Sequence, residues 1–312
     1  MLQRAEGGAM IDGFTEHRIS AGVLEVAYLA GGPEDGWPCL LGHGFPYDVH
    51  AYEEVALRLA AAGARVVVPW LRGYGPTRFH DPATMRSGEQ AALASDMLAL
   101  MDALGIGRAA LAGYDWGGRA MCVIAALFPE RCEALVTGNG YNIHDVPNSG
   151  KPAADPALEH MLWYTWYFQN DRGRRGLLEN RRAITRYCWQ EWSPEWAFDD
   201  ATFERSAAAF DNPDFVEVVT HSYRVRHGLV PGDPAYAHLE TRLVAQPPIA
   251  VPAISIDGAA DGVNPGTAHT NHRFTGPFAH RVWESAGHNL PQERPEAFAD
   301  TILEARAMAA RA

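Results

Sequence analysis

The sequence predicts an α/β fold: a mostly parallel sheet flanked by helices, with a helical cap (lid) inserted near its middle. Three observations predict it. Short apolar runs alternate with helical patterns up to about residue 141. The alternation stops over 142–246, where Trp163, Trp166, Trp189, Trp192 and Trp196 fall among several arginines. It resumes at Val251 and continues to the C-terminus. Strands separated by helices need crossover connections, and these build parallel sheets covered on both faces.

Taken in order, residues 1–9 read as a flexible extension, since "MLQRAEGGAM" lacks the apolar stretch of a secretory leader. "CLLGHG" (39–44) reads as a buried strand, "VHAYEEVALRLAAAG" (49–63) as a helix stopped by Gly63, and "ARVVVPW" (64–70) as a β-branched strand. "GEQAALASDMLALMDALG" (88–105) reads as a helix, "RAALAGY" (108–114) as a strand, "GGRAMCVIAALFP" (117–129) as a helix and "CEALVTGNG" (132–140) as a strand. In the middle segment, "SPEW" (193–196) and "NPDF" (212–215) read as helix starts with Ser193 and Asn212 as caps. After it come strands "VPAISIDG" and "HRVWESAG" and a closing helix from Arg294. The domain reading is therefore a core of 10–141 plus 247–312, with a cap of 142–246 folded over the strand ends, where ligands bind in open parallel sheets.

The bulk numbers exclude several classes. A net charge of −12 over 312 residues disfavours a nucleic-acid partner. No run approaches about 18 apolar residues, so no membrane span is expected. Four scattered cysteines, Cys39, Cys122, Cys132 and Cys188, show neither disulfide nor metal spacing and fit a reducing, cytoplasmic setting. His269 and His272 lack a third ligand in metal spacing, and no nucleotide fingerprint occurs, so neither metal nor organic cofactor is expected. The oligomeric state stays open, a homodimer included.

The chemistry starts at "LAGYDWGGRAM" (111–121). A strand-to-helix turn with glycines two residues either side of a central residue presents that residue as a nucleophile. Here the central residue is Asp115, between Gly113 and Gly117. A carboxylate attacks saturated carbon, opening a strained ring or displacing halide, and leaves an ester that water must cleave. Helix capping alone would also favour an aspartate at this place. The rest of the pattern argues for more: His288 in "WESAGHNLPQERP" and Asp261 in "SIDGAADGVNP" follow strands, in the order acid then histidine. His288 is the candidate general base and Asp261 its orienting acid, with Asp257 as a rival for that role. In "HGFP" (43–46), the Phe45 N–H joins the Trp116 N–H as an oxyanion cradle. His43 and Pro46 line the pocket wall, His43 as a hydrogen-bonder behind the reacting groups.

Together "HGFP", "LRGYG" (71–75), "GYDWGG", "DGAADGVNP" and "AGHNLPQERP" resemble the aspartate-dependent α/β-hydrolases, the soluble epoxide hydrolases and the related haloalkane dehalogenases. The resemblance implies an α/β-hydrolase core under a helical lid. "LWYTWYFQNDRG" (162–173) is similar to the first lid segment of epoxide hydrolases and implies Tyr164 as a ring-opening proton donor. "THSYRVRHG" (220–228) is similar to the second and implies Tyr223. Tyr167 lies three residues on from Tyr164, and with Trp163 and Phe168 it is expected to shape an apolar pocket. The family departs here at position 114, Tyr rather than His, and at position 70, Trp rather than Asp. The implied activity is hydrolysis of a small apolar epoxide to a vicinal diol. Its rivals are dehalogenation of an alkyl halide or halo acid by the same aspartate, and ligand binding without turnover.

Overall fold

The computed structural model describes residues 3–4, 11–149, 151–153 and 155–311. At its centre is one sheet. Its strands, numbered along the chain, lie in the order β1 (Gln3–Arg4), β2 (Phe14–Ala21), β3 (Leu24–Gly31), β5 (Ala64–Pro69), β4 (Trp37–Gly42), β7 (Ala109–Gly113), β8 (Cys132–Gly138), β9 (Ala253–Gly258) and β10 (Phe278–Trp283). A short β6 (Arg78–Phe79) pairs with β3 off this path. From β5 to β10 the neighbours are parallel. The hairpin β2–β3 is antiparallel and turns at Gly22, whose φ is +59°.

That hairpin is absent from the sequence reading, which starts the sheet at residue 39. Half-exposed strands such as "FTEHRISA" carry charged side chains and lack the continuous apolar run that marks a strand buried on both faces. Gln3–Arg4 extends the edge by pairing with β2. The remainder of the extension expected at 1–9 lies outside the described residues.

Four helices clothe the core: α1 (Glu53–Ala61), α2 (Gln90–Ala103), α3 (Asp115–Leu127) and α11 (Pro295–Ala309). α2 packs with α3 and α1 with α11, while α3 and α11 both lie on β7 and β8, so the pairs cover opposite faces. α3 is apolar on nearly every side because strands, α2 and the cap segment surround it. Between β8 and β9 run α4 (Pro156–Met161), α5 (Trp163–Tyr167), α6 (Asp171–Trp192), α7 (Asp200–Ala207), α8 (Phe215–Arg226) and α9 (Ala237–Leu243). After β10 comes α10 (Leu290–Glu293).

Two helix starts move. Residues 193–196 form a turn, closed by the Trp196 N–H on the Ser193 carbonyl at 3.0 Å, and Ser193 ends α6 rather than beginning a helix. α8 starts at Phe215, with Asn212 Oδ1 accepting the Asp214 N–H at 2.8 Å just before it. Among the described residues no helix is long and apolar enough to cross a membrane.

Parallel strands set the site. Gly42 and Gly113 end β4 and β7 in register, side by side. The loops leaving β4, β7, β8, β9 and β10 therefore emerge from one edge and carry Phe45, Asp115, Asn142, Asp261 and His288 respectively.

Candidate active site

Asp115 opens α3 with φ +49°, a left-handed conformation that few side chains adopt. Such strain persists only when neighbours over-determine it. The glycines let them do so: a Cβ on Gly117 would lie 2.0 Å from the Gly42 carbonyl oxygen, and one on Gly113 2.6 Å from the Gly117 carbonyl carbon. Asn142 Nδ2 donates to the Asp115 carbonyl at 2.8 Å and holds the strained peptide from above.

The two carboxylate oxygens have different tasks. Oδ1 accepts the Phe45 N–H at 2.7 Å, and the Trp116 N–H also bonds the carboxylate. Oδ2 faces His288 Nε2 at 3.7 Å. Close approach of the 43–46 loop requires Gly44, since a Cβ there would sit 2.4 Å from Asp115 Oδ1.

His288 Nδ1 lies 2.8 Å from Asp261 Oδ2, so the ring bridges two carboxylates. Asp261 is fixed by the N–H groups of Val263 (2.9 Å) and Asn264 (3.0 Å) on Oδ1 and by Asn139 Nδ2 (3.0 Å) on Oδ2. Its rival Asp257 is occupied elsewhere, accepting the Thr267 N–H at 2.6 Å and hydroxyl at 2.8 Å, with His280 Nε2 at 3.4 Å. Burial works against a charged His288, but the Asp261 charge and hydrogen bond and the facing Asp115 carboxylate outweigh it, and the ring is pushed up to about 10. Burial likewise pushes the Asp115 carboxyl up, and His288, the Arg119 charge and the Trp116 N–H more than reverse this, leaving it below the usual value. The resting site is thus a buried carboxylate–imidazolium–carboxylate row.

Opposite Asp115 stand Tyr164 of α5 and Tyr223 of α8, ring centroids 5.4 Å apart and perpendicular. Neither hydroxyl hydrogen-bonds to another described residue. Burial raises both phenols above their ordinary value, so both stay protonated. Phe45, Phe168 and Trp192 complete an aromatic wall: Phe168 lies 5.5 Å from Tyr223 and Trp192 lies 4.7 Å from Tyr164, centroid to centroid.

Other pocket expectations need correction. Tyr167 turns to α6, where Gly176 makes room: a Cβ there would meet its hydroxyl at 1.9 Å. Trp163 packs against Tyr167 and the exposed Tyr187 on one side and edge-on behind Tyr164, with ring centroids 6.2 Å apart, on the other. His43 is buried scaffold rather than pocket wall. Its Nε2 accepts the Leu71 N–H at 3.1 Å and its Nδ1 bonds the Gly44 carbonyl at 3.1 Å, tying two loops together. Burial lowers its pKa to about 4, so it stays neutral. Pro46 contributes its carbonyl, which accepts Trp189 Nε1 at 2.8 Å.

Sequence reasoning missed Asn142 and Asn139, and read Ser193 only as a helix cap. Ser193 Oγ donates to Glu293 at 2.7 Å and accepts the His288 N–H at 3.1 Å, so the end of α6 carries the histidine loop. The two asparagines had a signal in "GNGYN", directly after a strand of the same edge. Ser193 had none, because its partner loop is some hundred residues away.

The chain is similar to several known proteins. A crystallised protein of Klebsiella pneumoniae, described as a "putative epoxide hydrolase", is 43% identical, with 97% of this chain and 100% of that one covered and a TM-score of 0.92. "Epoxide hydrolase 3" of Siraitia grosvenorii is 36% identical over 97 residues, 31% of this chain and 30% of that one. "Haloalkane dehalogenase" of Psychrobacter cryohalolentis is 34% identical over 116 residues, 37% of this chain and 38% of that one. This chain therefore spans about a third of the length of those two curated relatives. The model of the family described as "alpha/beta hydrolase fold" matches residues 38–222, more than half of the 312, and the chain belongs to that family.

Proposed function

We propose that the protein is an epoxide hydrolase working through a covalent ester on Asp115, with the helical segment 142–246 acting as its cap. One observation carries the reading: two protonated phenols with no hydrogen-bond partner among the described residues lie within reach of the charge of a carboxylate that has one pinned and one open oxygen. Opening an oxirane leaves an alkoxide, and an alkoxide needs a proton donor.

Asp115 Oδ2 attacks one epoxide carbon, the C–O bond breaks, and the departing oxygen takes a hydrogen bond and then a proton from Tyr164 or Tyr223. Esterification removes the Asp115 charge. His288 loses one of the two carboxylates that stabilise its proton, its pKa falls, its proton passes to the phenolate left on the lid, and the neutral imidazole then deprotonates water. Hydroxide adds to the ester carbonyl, and Oδ1 takes the negative charge against the Phe45 and Trp116 N–H groups. Collapse expels the diol and restores the carboxylate.

Two further buried groups favour a second reading. The Trp116 and Trp192 indole N–H groups have no hydrogen-bond partner among the described residues, and indole donors suit a released halide. Replacing both tyrosines by Phe separates the two. An epoxide hydrolase loses alkylation by about 10²-fold or more, whereas a dehalogenase keeps halide release. The direct test is His288→Gln incubated with styrene oxide or 1,2-epoxyhexane and followed by intact mass. A stable adduct equal to the epoxide mass, on the peptide containing Asp115, is expected. No adduct with either epoxide, together with halide release from alkyl halides by the wild type, would overturn the reading.

A further inference from the structure

A lid phenol that gives up its proton becomes a phenolate, and the surroundings of Tyr223 resist one. The ring is 1% exposed. It meets Phe45, Trp116, Tyr164 and Phe168 at centroid distances of 5.6, 5.9, 5.4 and 5.5 Å. Burial first, then Tyr164 and the Asp115 charge, oppose its ionisation. One cation stands against the ring: the Arg226 guanidinium lies 5.2 Å from its centroid. Residues 223 and 226 are three apart on α8 and so share a face.

The other arginines of the helical segment show what pairing looks like here. Arg174 takes Glu217, Arg182 takes Glu204 and Asp211, Arg186 takes Asp200, and Arg224 takes Asp171 at 3.8 Å. The half-buried Arg226 side chain makes neither a hydrogen bond nor an ion pair among the described residues. Glu89, Asp233 and Glu240 border the same cavity as Arg226, but their oxygens are engaged by other donors. Glu89 accepts the Asp233 N–H at 2.8 Å and the Ser87 hydroxyl at 2.8 Å. Glu240 accepts the Ala91 N–H at 2.9 Å and Gln90 Nε2 at 3.1 Å, and Asp233 accepts the Ala235 N–H at 3.0 Å. Arg119 of α3 donates to Asn142, at 3.3 and 3.5 Å.

A guanidinium over an aromatic face gains little from a neutral phenol and far more from a phenolate. An interaction that strengthens as the proton leaves is one that lowers a barrier. Asp115 supplies the timing. Its charge opposes a phenolate before attack and is consumed when its oxygen bonds to carbon. We propose that Arg226 is a positioning residue for ring opening that acts through Tyr223: as Asp115 Oδ2 bonds to carbon and the C–O bond breaks, the Tyr223 proton moves to the departing oxygen, and the phenolate left behind is held against the guanidinium. The inference rests on the epoxide reading, and it assigns the transferred proton to Tyr223 rather than Tyr164.

The test follows alkylation of the full chain by styrene oxide and 1,2-epoxyhexane, both neutral, in single turnovers read by rapid quench and intact mass. Arg226→Gln should lower the maximal alkylation rate about tenfold with both epoxides, with the half-saturating concentration nearly unchanged. Arg226→Lys, which keeps the charge, should regain part of the loss. The separating readout is 3,5-difluorotyrosine at position 223, whose phenol ionises more readily than that of tyrosine. Placed in Arg226→Gln, it should restore most of the lost rate, which a packing defect would not allow. A wild-type rate in Arg226→Gln, or a lost rate that difluorotyrosine leaves unrestored, overturns the inference while the ester mechanism stands. A wild type alkylated by neither epoxide removes the epoxide reading and the inference with it. Should Arg226→Gln fail to fold, Arg226→Lys, whose charge moves off the ring face, is compared with and without difluorotyrosine by the same criterion.

Discussion

Asp115 Oδ1 is held by the Phe45 N–H at 2.7 Å while Oδ2 is open toward His288, so the two oxygens are not interchangeable. In heavy-oxygen water the first diol should carry the protein's own oxygen. Because Oδ1 stays pinned, the incoming oxygen replaces Oδ2 alone, and the second diol should be fully labelled. A half-labelled second diol, measured by single-turnover mass spectrometry, would mean that the carboxylate rotates between turnovers. His288 gives a second test at this scale. Its folded pKa lies above the unfolded one, so it stabilises the fold fully below about pH 6.5. That contribution is lost as pH rises through the folded value near 10. The urea midpoint should fall between pH 7 and 10 in the wild type and fall less in His288→Gln. The candidate triad was legible as a cluster because each residue sits in a short local pattern: glycines around Asp115, a strand end before Asp261 and before His288. Tyr167 was misplaced because helical spacing gives a shared face but not which neighbour that face meets, and Gly176 on another helix settled it.

The C-terminal end of α6 is one place where the helical segment 142–246 is tied to the core. Its Trp192 carbonyl accepts the N–H groups of Gly262 (3.0 Å) and His288 (3.1 Å). A Cβ on Gly262 would lie 1.9 Å from the Glu191 carbonyl, and one on Gly287 2.6 Å from Ser193 Cα. The glycines of "ADG" and "AGH" thus have a packing reason: they admit a helix end. Ser193→Ala removes a hydroxyl that receives the histidine loop and engages Glu293. We expect about 1–3 kcal/mol of lost stability and a kcat lowered about 10- to 100-fold by displaced His288, with KM nearly unchanged in steady-state assays. Sequence alone read 193–196 as a helix start because Ser-Pro is a good opening signal. The competing demand, a hydroxyl shared with Glu293, lies in a loop that no local pattern connects.

Across the whole molecule, the parallel half of the sheet was readable from continuous apolar runs, and the antiparallel edge was not, since half-exposed strands dilute that signal. Arg72 joins distant parts: beyond Asp96 on α2 it donates to the Ser87 carbonyl at 2.9 Å and to the Tyr236 hydroxyl at 3.1 Å, just before α9. Asp96→Ala leaves a buried guanidinium short of its charge partner and should cost about 3–5 kcal/mol in chemical denaturation. On the proposed reading of 142–246 as a cap, the clamp on α6 restricts how that cap can open. A lid hinged there could not swing outward without pulling the base from its acid, and a gate of that kind would disarm the machine at each arrival and departure. On that reading, ingress and egress fall to helices on other sides of the segment, with the α6 terminus standing still as a doorpost.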